Sequence, residues 1–185
     1  MRIISGIYKG RRIDGKVPAN VRPTQDALRE TMFNIISNHF DFENKVVCDL
    51  CAGTGALGLE ALSRGAKFVF FIDISKSSLA FVKSVCESFN IDKSHYRTVL
   101  CKAETFLMTS RADMAIDFVF TDPPYSANII NKIAMSASGS PALGQGAFFA
   151  AEYATNNIFV VPDNMEIISE RSFTISKFSL LRKNG

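Results

Sequence analysis

The amino-acid sequence predicts one α/β domain, with a mostly parallel β-sheet that is covered by helices on both faces. Three observations support this prediction. Strand-like and helix-like segments alternate from Lys45 onward, which is the pattern of parallel strands joined by crossover helices. A glycine-rich loop follows the first of these strands. The chain has 185 residues, of which 47 % are hydrophobic, so it is long enough to build one full core.

The residues before the alternating part predict a hairpin, a loop and a helix. Residues 2–13 read as two short strands around glycines, and residues 14–23 form a loop that contains two prolines. A helix is then predicted from Thr24, a candidate N-cap, to about Asn38. Its apolar residues recur at helical spacing: Leu28, Met32, Ile35 and Ile36.

Seven strands are predicted in the alternating part. They cover residues 46–50, 68–72, 97–101, 117–121, 147–152, 166–175 and 177–182. The last two strands follow each other without a helix, which predicts an antiparallel pair. Helices are expected from the glycine loop to Gly65, over 76–89, over 104–110 and over 128–137, and residues 138–146 are expected to form a flexible connection.

The loop after the first strand predicts a site for a nucleoside-containing ligand. Gly53, Gly55 and Gly58 fit the spacing G-x-G-x-x-G, which lets the backbone approach such a ligand closely. Asp73 ends the next strand, where a carboxylate that binds ribose hydroxyls is expected. Asp49 precedes the glycines and would repel the pyrophosphate of a dinucleotide. A ligand with a ribose and a positive charge but no phosphate fits better, and S-adenosylmethionine is such a ligand.

A second informative stretch follows the fourth strand. Asp122-Pro123-Pro124-Tyr125 must leave the sheet abruptly, because proline cannot continue a central strand. The carboxylate of Asp122 and the carbonyl of Pro123 offer two acceptors for the two N–H groups of an exocyclic base amine, and Tyr125 offers a ring for stacking. Ligands of parallel sheets bind beyond the carboxyl ends of the strands, so this stretch is expected to lie beside the glycine loop.

Basic residues are concentrated at the start of the chain. Residues 1–30 contain seven Lys or Arg side chains and three acidic ones, a net charge of 7 − 3 = +4, while the whole chain carries +3. This asymmetry predicts a polyanionic partner, although a merely solvated basic surface is an open alternative. The mixed sequence after Arg2 resembles no signal peptide and no apolar run is long enough to span a membrane, so a cytoplasmic protein is expected.

The cysteine and histidine residues predict no metal site. Cys48 and Cys51 form one C-x-x-C pair, but no second pair exists to complete a zinc site. Neither histidine stands near a cluster of acids or thiols. The cysteines are therefore expected to be buried, reduced thiols.

Several of these motifs together resemble a known family. Asp49-Leu-Cys-Ala-Gly-Thr-Gly55 and Asp122-Pro-Pro-Tyr125 resemble the two characteristic motifs of Rossmann-like, S-adenosylmethionine-dependent amino-methyltransferases. The residues before and after the first motif are similar to RsmD-type 16S rRNA (guanine-N2)-methyltransferases. They are Arg2-Ile-Ile-Ser-Gly, Lys9-Gly-Arg-Arg12, Arg22-Pro-Thr, Arg29-Glu-Thr-Met-Phe-Asn34 and Gly55-Ala-Leu-Gly-Leu-Glu-Ala-Leu-Ser-Arg64.

The resemblance implies a class I methyltransferase domain over residues 24–185, with a basic hairpin and loop over 1–23 as an appendage. It implies methylation of a guanine N2 in small-subunit ribosomal RNA by a monomer that acts on the RNA or on its assembly particle. The implied cofactor-binding residues are Asp49, Gly53, Gly55, Asp73, Ala103 and Glu104. The implied catalytic residues are Asp122, Pro123, Pro124 and Tyr125, and the implied RNA-binding residues are Arg2, Lys9, Arg11, Arg12, Arg22 and Arg29.

One position departs from the family pattern. Lys102 stands where the family commonly has Asp or Asn, and an ammonium group cannot accept a hydrogen bond from an adenine amine. The role passes to Glu104 or to the backbone, or the affinity for the cofactor is lower. If Lys102 abolishes cofactor binding, a non-catalytic RNA-binding protein is an alternative function. An adenine-N6 methyltransferase is the other alternative, because that class shares both motifs.

Overall fold

The computed structural model describes residues 1–14, 26–124 and 129–184 of the chain. The strands are β1 (Val46–Leu50), β2 (Phe68–Asp73), β3 (Tyr96–Leu100), β4 (Ile116–Thr121), β5 (Leu143–Ala154), β6 (Met165–Ser172) and β7 (Ser176–Lys183). The helices are α1 (Asp26–Ser37), α2 (Ala56–Ser63), α3 (Lys76–Ser88), α4 (Ala103–Thr109) and α5 (Ile130–Gly139).

The seven strands form one mixed sheet in the order β3-β2-β1-β4-β5-β7-β6. Strands β1 to β5 are parallel to their neighbours, whereas β7 is antiparallel to both β5 and β6. The predicted α/β fold with a mostly parallel, seven-stranded sheet and an antiparallel last strand is therefore confirmed. Because β1 and β4 are central and parallel, the carboxyl ends of β1, β2 and β4 lie side by side at one edge.

Two hydrophobic clusters lie on opposite faces of the sheet. Helices α1, α2 and α3 bury their apolar residues on one face, against a group of phenylalanine rings. These rings include Phe33, Phe42, Phe71, Phe118, Phe120, Phe148 and Phe178. Helices α4 and α5 cover the other face, where the second cluster lies. Helices on both faces explain why the central strands read as continuous apolar runs.

Glycines at both ends of α2 allow this helix to pack closely on the sheet. A Cβ atom at Gly58 would lie 2.4 Å from Cε1 of Phe71, so no larger residue fits there without displacing the ring. At the other end, Gly65 has a φ of +99°, and the N–H groups of Gly65 and Ala66 donate to the carbonyls of Leu62 and Ala61. This pattern is a Schellman motif, and it confirms that Gly65 ends the helix.

The N-terminal residues form one antiparallel bridge, between Arg2 and Arg12, rather than the two predicted strands. The predicted hairpin is present, because the N–H groups of Ile3 and Ile13 donate to the carbonyls of Arg11 and Met1, both at 3.0 Å, but its two sides are too short to count as strands. The backbone between them binds to α2. The N–H groups of Ile4 and Ser5 donate to the buried carboxylate of Glu60, at 2.8 and 3.0 Å. The Tyr8 N–H donates to the hydroxyl of Ser63 at 3.0 Å, and the Ile7 N–H donates to the Ser63 carbonyl at 2.8 Å.

Two other predictions for single segments need correction or lie outside the described residues. Residues 138–146 are not a flexible connection, because α5 continues to Gly139 and β5 begins at Leu143, which pairs with Ile116. Gly146 has a φ of +82° and lies where the register between β4 and β5 shifts. Gly144 and Gly146 therefore belong to an irregular part of strand β5. The predicted N-cap Thr24, the loop before it and the predicted helix start at residue 128 lie outside the described residues.

Among the described helices, none combines the length and the apolar character that a membrane-spanning helix needs.

The close contact between α2 and β2 predicts the effect of a single methyl group. We expect Gly58→Ala to lower the free energy of unfolding by about 1–3 kcal/mol, because the added Cβ overlaps the buried ring of Phe71. Urea denaturation of both proteins measures this difference.

Gly139→Ala is the matched control, because a Cβ atom at Gly139, at the end of α5, meets no atom within 4 Å. This change should leave stability unchanged or raise it by up to about 1 kcal/mol. Equal stabilities of the two variants would contradict the packing constraint at Gly58.

Candidate functional site

Four acidic side chains surround one loop at the carboxyl edge of the sheet. Asp49 lies near the end of β1, Asp73 ends β2, Asp122 follows β4 and Glu104 lies in the first turn of α4. Burial and then the negative charges of these four groups raise the pKa of Cys51, in the loop after β1, to about 12. The edge therefore carries a concentrated negative charge around the loop between β1 and α2.

Asp49 closes the N-terminus of α2. Its side chain is 2 % exposed, and its Oδ2 accepts a hydrogen bond from the Gly58 N–H at 2.9 Å. Burial raises the pKa of Asp49 well above its usual range; the Gly58 N–H opposes this, while the charges of Asp122 and Asp73 add to it. A helix N-terminus is the usual position for a bound phosphate, and here a protein carboxylate already occupies it.

The loop between β1 and α2 follows a strained path. Cys51, Gly53 and Gly55 have φ values of +59°, +55° and +72°, and the Gly55 N–H donates to the Ala52 carbonyl at 2.6 Å. A Cβ atom at Gly55 would lie 2.8 Å from Cγ2 of Val82 on α3. Both the positive φ and the close contact require glycine at this position.

The carboxylate of Asp73 holds two backbone segments together. Its Oδ2 accepts a hydrogen bond from the Gly53 N–H at 2.8 Å, and its Oδ1 accepts one from the Ser75 N–H, also at 2.8 Å. The hydroxyl of Ser75 in turn accepts from the Ser78 N–H and caps α3. Each carboxylate oxygen has a further lone pair, so Asp73 can position the glycine loop and still accept hydrogen bonds from a ligand's hydroxyl groups.

The start of α4 completes the edge. The Cys101 N–H donates to the Asp73 carbonyl at 3.1 Å, which ties this segment to the end of β2. Lys102 is the N-cap residue, but its exposed side chain makes no capping hydrogen bond. Ala103 is buried and Glu104 is half-buried. The predicted adenine-binding position is thus next to the other acids, with Glu104 as its carboxylate.

The proline motif begins where β4 ends. Thr121 pairs with Ala151 of β5, and Asp122 is the first residue beyond the sheet. Asp122 is half-buried, Pro123 is buried and Pro124 is exposed. Tyr125 lies outside the described residues, so its predicted stacking role stays a prediction.

The six predicted RNA-binding residues lie in four different settings. Arg2, Lys9 and Arg12 are exposed. Arg11 is exposed as well, but its Nη1 donates to the Phe89 carbonyl at 2.9 Å, at the end of α3, and its guanidinium lies 5.0 Å from the Phe89 ring centroid. Arg22 lies outside the described residues.

The prediction that Arg29 contacts RNA was wrong, because this side chain is 0 % exposed. Its Nη2 donates to the Arg2 carbonyl and, at 3.1 Å, to Oδ1 of Asp26. Burial lowers the pKa of Arg29, against the opposing effects of the carboxylates of Asp26 and Glu60. Arg29 therefore fixes the N-terminal backbone to α1.

Sequence reasoning missed Glu60 and Ser63, which attach the N-terminal residues to α2. A signal for Glu60 existed, because it is the one charged residue in the otherwise apolar run Ala56–Ser63. Glu60 is fully buried and accepts from the N–H groups of Ile4 and Ser5 and from Nε of Arg64, at 2.9 Å. A buried carboxylate needs such partners, since an unpaired buried charge lowers the stability of the fold by roughly several kcal/mol.

The composition of the edge selects among ligands. Its acids and its capped helix N-terminus disfavour phosphate groups and favour a cation. Gly53 and Gly55 have no side chains, so the backbone of the loop is open to a ligand at two positions. These features fit S-adenosylmethionine, which has a sulfonium, an ammonium group and ribose hydroxyls, and they do not fit a dinucleotide.

Comparisons with known proteins point in the same direction. The family model described as "Conserved hypothetical protein 95" matches residues 1–182. "Ribosomal RNA small subunit methyltransferase D" of Buchnera aphidicola subsp. Baizongia pistaciae is 30 % identical over 94 % of this chain and 87 % of that protein. "Putative rRNA methyltransferase YlbH" of Bacillus subtilis is 32 % identical over 83 % of this chain and 82 % of that protein. The solved structure of the putative methyltransferase yhhF from Escherichia coli superimposes with a TM-score of 0.85 at 26 % identity and covers 100 % of this chain and 98 % of that one.

The buried carboxyl of Asp49 predicts a pH-dependent stability. A carboxyl whose pKa is higher in the folded state stabilises the fold fully at low pH, and this contribution is lost as the pH rises through the folded-state value. Asparagine keeps an oxygen for the Gly58 N–H and carries no charge. We expect Asp49→Asn to be more stable than the parent by about 1 kcal/mol or more near pH 8, and equal to it near about pH 4.

Urea denaturation at the two pH values measures this difference. Asp117→Asn is the matched control, because Asp117 also accepts a backbone N–H, from Val46 at 2.8 Å, but is partly exposed. A difference between Asp49→Asn and the parent that does not depend on pH would contradict the cost assigned to the buried charge.

Proposed function

The chain belongs to the "Conserved hypothetical protein 95" family, that of the small-subunit ribosomal RNA methyltransferases D, and we propose that it methylates the exocyclic N2 of a guanine in 16S ribosomal RNA. It is an S-adenosylmethionine-dependent rRNA methyltransferase. The observation that carries the site assignment is the grouping of Asp49, Asp73, Glu104 and Asp122 around one glycine loop. An acidic, phosphate-excluding edge beside a proline motif suits a cationic methyl donor and an amine acceptor.

The cofactor supplies a methyl group that is activated by its attachment to a positively charged sulfur. We assign its methionine part to Asp49, Gly53 and Gly55, because Asp49 lies buried behind the loop and its bond from the Gly58 N–H leaves the helix N-terminus closed to a phosphate. Asp73 is assigned to the ribose hydroxyls and Glu104, beside Ala103, to the adenine amine. Glu104 thus takes over the role that Lys102 cannot perform, since the Lys102 ammonium only donates hydrogen bonds.

The target base is assigned to the segment that follows β4. The carboxylate of Asp122 and the carbonyl of Pro123 accept the two hydrogen atoms of the guanine amine. Pro124 follows them in the chain, and the role of stacking on the base is assigned to Tyr125 from the sequence alone. These acceptors orient the nitrogen lone pair and stabilise the positive charge that develops on nitrogen during transfer. Buried Pro123 makes this geometry rigid, because its ring fixes φ.

The RNA-binding surface is assigned to the exposed basic residues near the start of the chain, in the segment 1–23 that we propose as an appendage. Arg2 and Arg12 are paired across the antiparallel bridge, and like charges in opposed positions destabilise a hairpin. A polyanion relieves this repulsion. Lys9 and, by sequence, Arg22 extend the surface, whereas Arg11 binds within the protein.

One chain provides every residue of this proposal, so a monomer suffices. The proposed substrate is rRNA or its assembly particle in the cytoplasm.

Labelled methyl transfer tests the proposed activity directly. The purified protein, labelled S-adenosylmethionine and small-subunit rRNA or assembly particles that lack this methylation are expected to give N2-methylguanosine on nucleoside analysis. We expect Asp122→Ala to lose at least about 100-fold in turnover, because it removes one acceptor for the amine. Its cofactor affinity, measured by calorimetry, should remain that of the parent.

Other products would contradict specific parts of the assignment. Detection of N6-methyladenosine would agree with the roles assigned to the two motifs, but it would contradict guanine as the target base. Loss of cofactor binding in parallel with turnover in Asp122→Ala would overturn the role of Asp122 at the base. The absence of any methylated product with all RNAs would overturn the proposed activity.

Charge reversal at the bridge tests the RNA surface. We expect Arg2→Glu combined with Arg12→Glu to weaken RNA binding at least about tenfold at low salt, and the difference to narrow as salt rises, because phosphate contacts release counterions. Filter binding across a salt series measures this effect.

The matched control is Lys67→Glu combined with Lys93→Glu. Both lysines are exposed and precede β2 and β3, at the opposite edge of the sheet. Equal losses of affinity in the two double variants would show a general effect of net charge and contradict the assigned surface.

A further inference from the structure

A loop beside the proline motif presents apolar side chains to the surface. Residues 155–164 connect β5 to β6, and they begin at the same edge as the Asp122 segment, because β5 is parallel to β4 with Thr121 opposite Ala151. The proposed function assigns no role to residues 155–164, which we call the β5–β6 loop.

The β5–β6 loop is fastened to the start of α5. The side chain of Asn131, in the first turn of α5, donates to the Ile158 carbonyl at 2.8 Å and accepts from the Val160 N–H at 2.9 Å. Farther along, the amide of Asn164 donates to the Ser138 carbonyl at 3.1 Å. Helix α5 is also the element to which the proline motif leads. The start of this helix therefore holds the loop in place.

Alternate residues of the β5–β6 loop point in opposite directions. Phe159 and Val161 pack against the hydrophobic cluster beneath α4 and α5, and the Phe159 ring lies 4.8 Å from that of Tyr153. Ile158 and Val160 are 82 % and 54 % exposed. Single exposed apolar residues are common on protein surfaces. Here Ile158 and Val160 lie on a backbone that is held by the hydrogen bonds of Asn131 and by their partly buried neighbours.

We propose that Ile158 and Val160 form an apolar wedge that enters the RNA stack when the target guanine leaves it. This inference rests on the proposed function, because only a base that is out of its stack can reach Asp122 and Pro123. Removing a base from its stack costs roughly a few kcal/mol of free energy, and apolar side chains that insert at the vacated step offset this cost. A rigid loop suits this task, since it loses little conformational entropy on insertion.

RNA is the occupant that the position of the loop favours. The exposed residues lie in a loop that begins at the same carboxyl edge of the sheet as the segment assigned to the base. The apolar faces of stacked bases are the surfaces that become exposed when one nucleotide leaves the stack. A protein component of the assembly particle is the competing occupant, and the experiment distinguishes the two.

The test compares Ile158→Ala/Val160→Ala with the parent on two naked RNAs that have the same sequence around the methylated guanine. In one RNA the guanine is paired and stacked; in the other the opposing strand is removed. We expect single-turnover methylation of the stacked RNA to fall about tenfold, and that of the open RNA to change less than about twofold. With 2-aminopurine at the target position of the stacked RNA, the parent should raise the fluorescence and the variant should not.

Ile167→Ala is the matched control, because Ile167 is 48 % exposed on β6, away from the α5 start, and should leave both rates unchanged. Equal falls on the two RNAs would overturn the wedge, since stacking would then be irrelevant. A loss confined to assembly particles, with naked RNA unaffected, would replace RNA by a protein partner. If the parent methylates neither the naked RNAs nor the assembly particle, the proposed function itself fails. An active parent with an equally active variant, on RNA or on the particle, refutes only the wedge.

Discussion

The Gly58 N–H donates a hydrogen bond to the buried carboxylate of Asp49, and the geometry of the carboxyl edge depends on this contact. The bond forms because α2 lies close to the sheet, and the closeness requires glycine where a Cβ would meet Phe71. With Asp49 in place, the helix N-terminus no longer attracts an anion. A loop of the kind that binds pyrophosphate in other proteins is thereby closed to a phosphate group. This exclusion follows from one buried carboxyl group, whereas the negative charge of the edge comes from Asp73, Asp122 and Glu104 as well.

Helix α2 connects the two surfaces to which we assign the cofactor and the RNA. Its N-terminal end frames the glycine loop, and its buried Glu60 and terminal Ser63 hold the backbone of the basic N-terminal residues. Arg29 adds a contact from α1 to the Arg2 carbonyl. The N-terminal residues also contribute Ile3 and Ile13 to the core beneath α1, α2 and α3. The basic surface is thus built on the same packed layer as the cofactor loop.

The sequence predicted the sheet and the arrangement of its acids well, because strand periodicity and the rule for carboxyl ends use only local patterns. It predicted the N-terminal residues less well, since their hydrogen-bond partners, Glu60 and Ser63, are more than fifty positions away in the chain. The burial of Arg29 was missed for the same reason. A basic residue on a helix reads as exposed until its distant acceptor, the Arg2 carbonyl, is known. Residues 138–146 were misread because their glycines suggested a linker, whereas Gly146 lies at an irregularity of β5.

The position of β7 has a consequence for the order in which the sheet can be assembled. β7 is the last strand that the chain forms, yet it lies between β5 and β6. During synthesis from the N-terminus, β5 therefore presents an open edge, and β6 has no neighbour, until residues 176–183 are available. The β6–β7 hairpin can form locally, from Ser172 opposite Lys177, but β5 keeps one unpaired edge until this hairpin pairs with it. Other chains can pair with such an edge. The nascent chain is thus most prone to aggregate just before its final strand is complete.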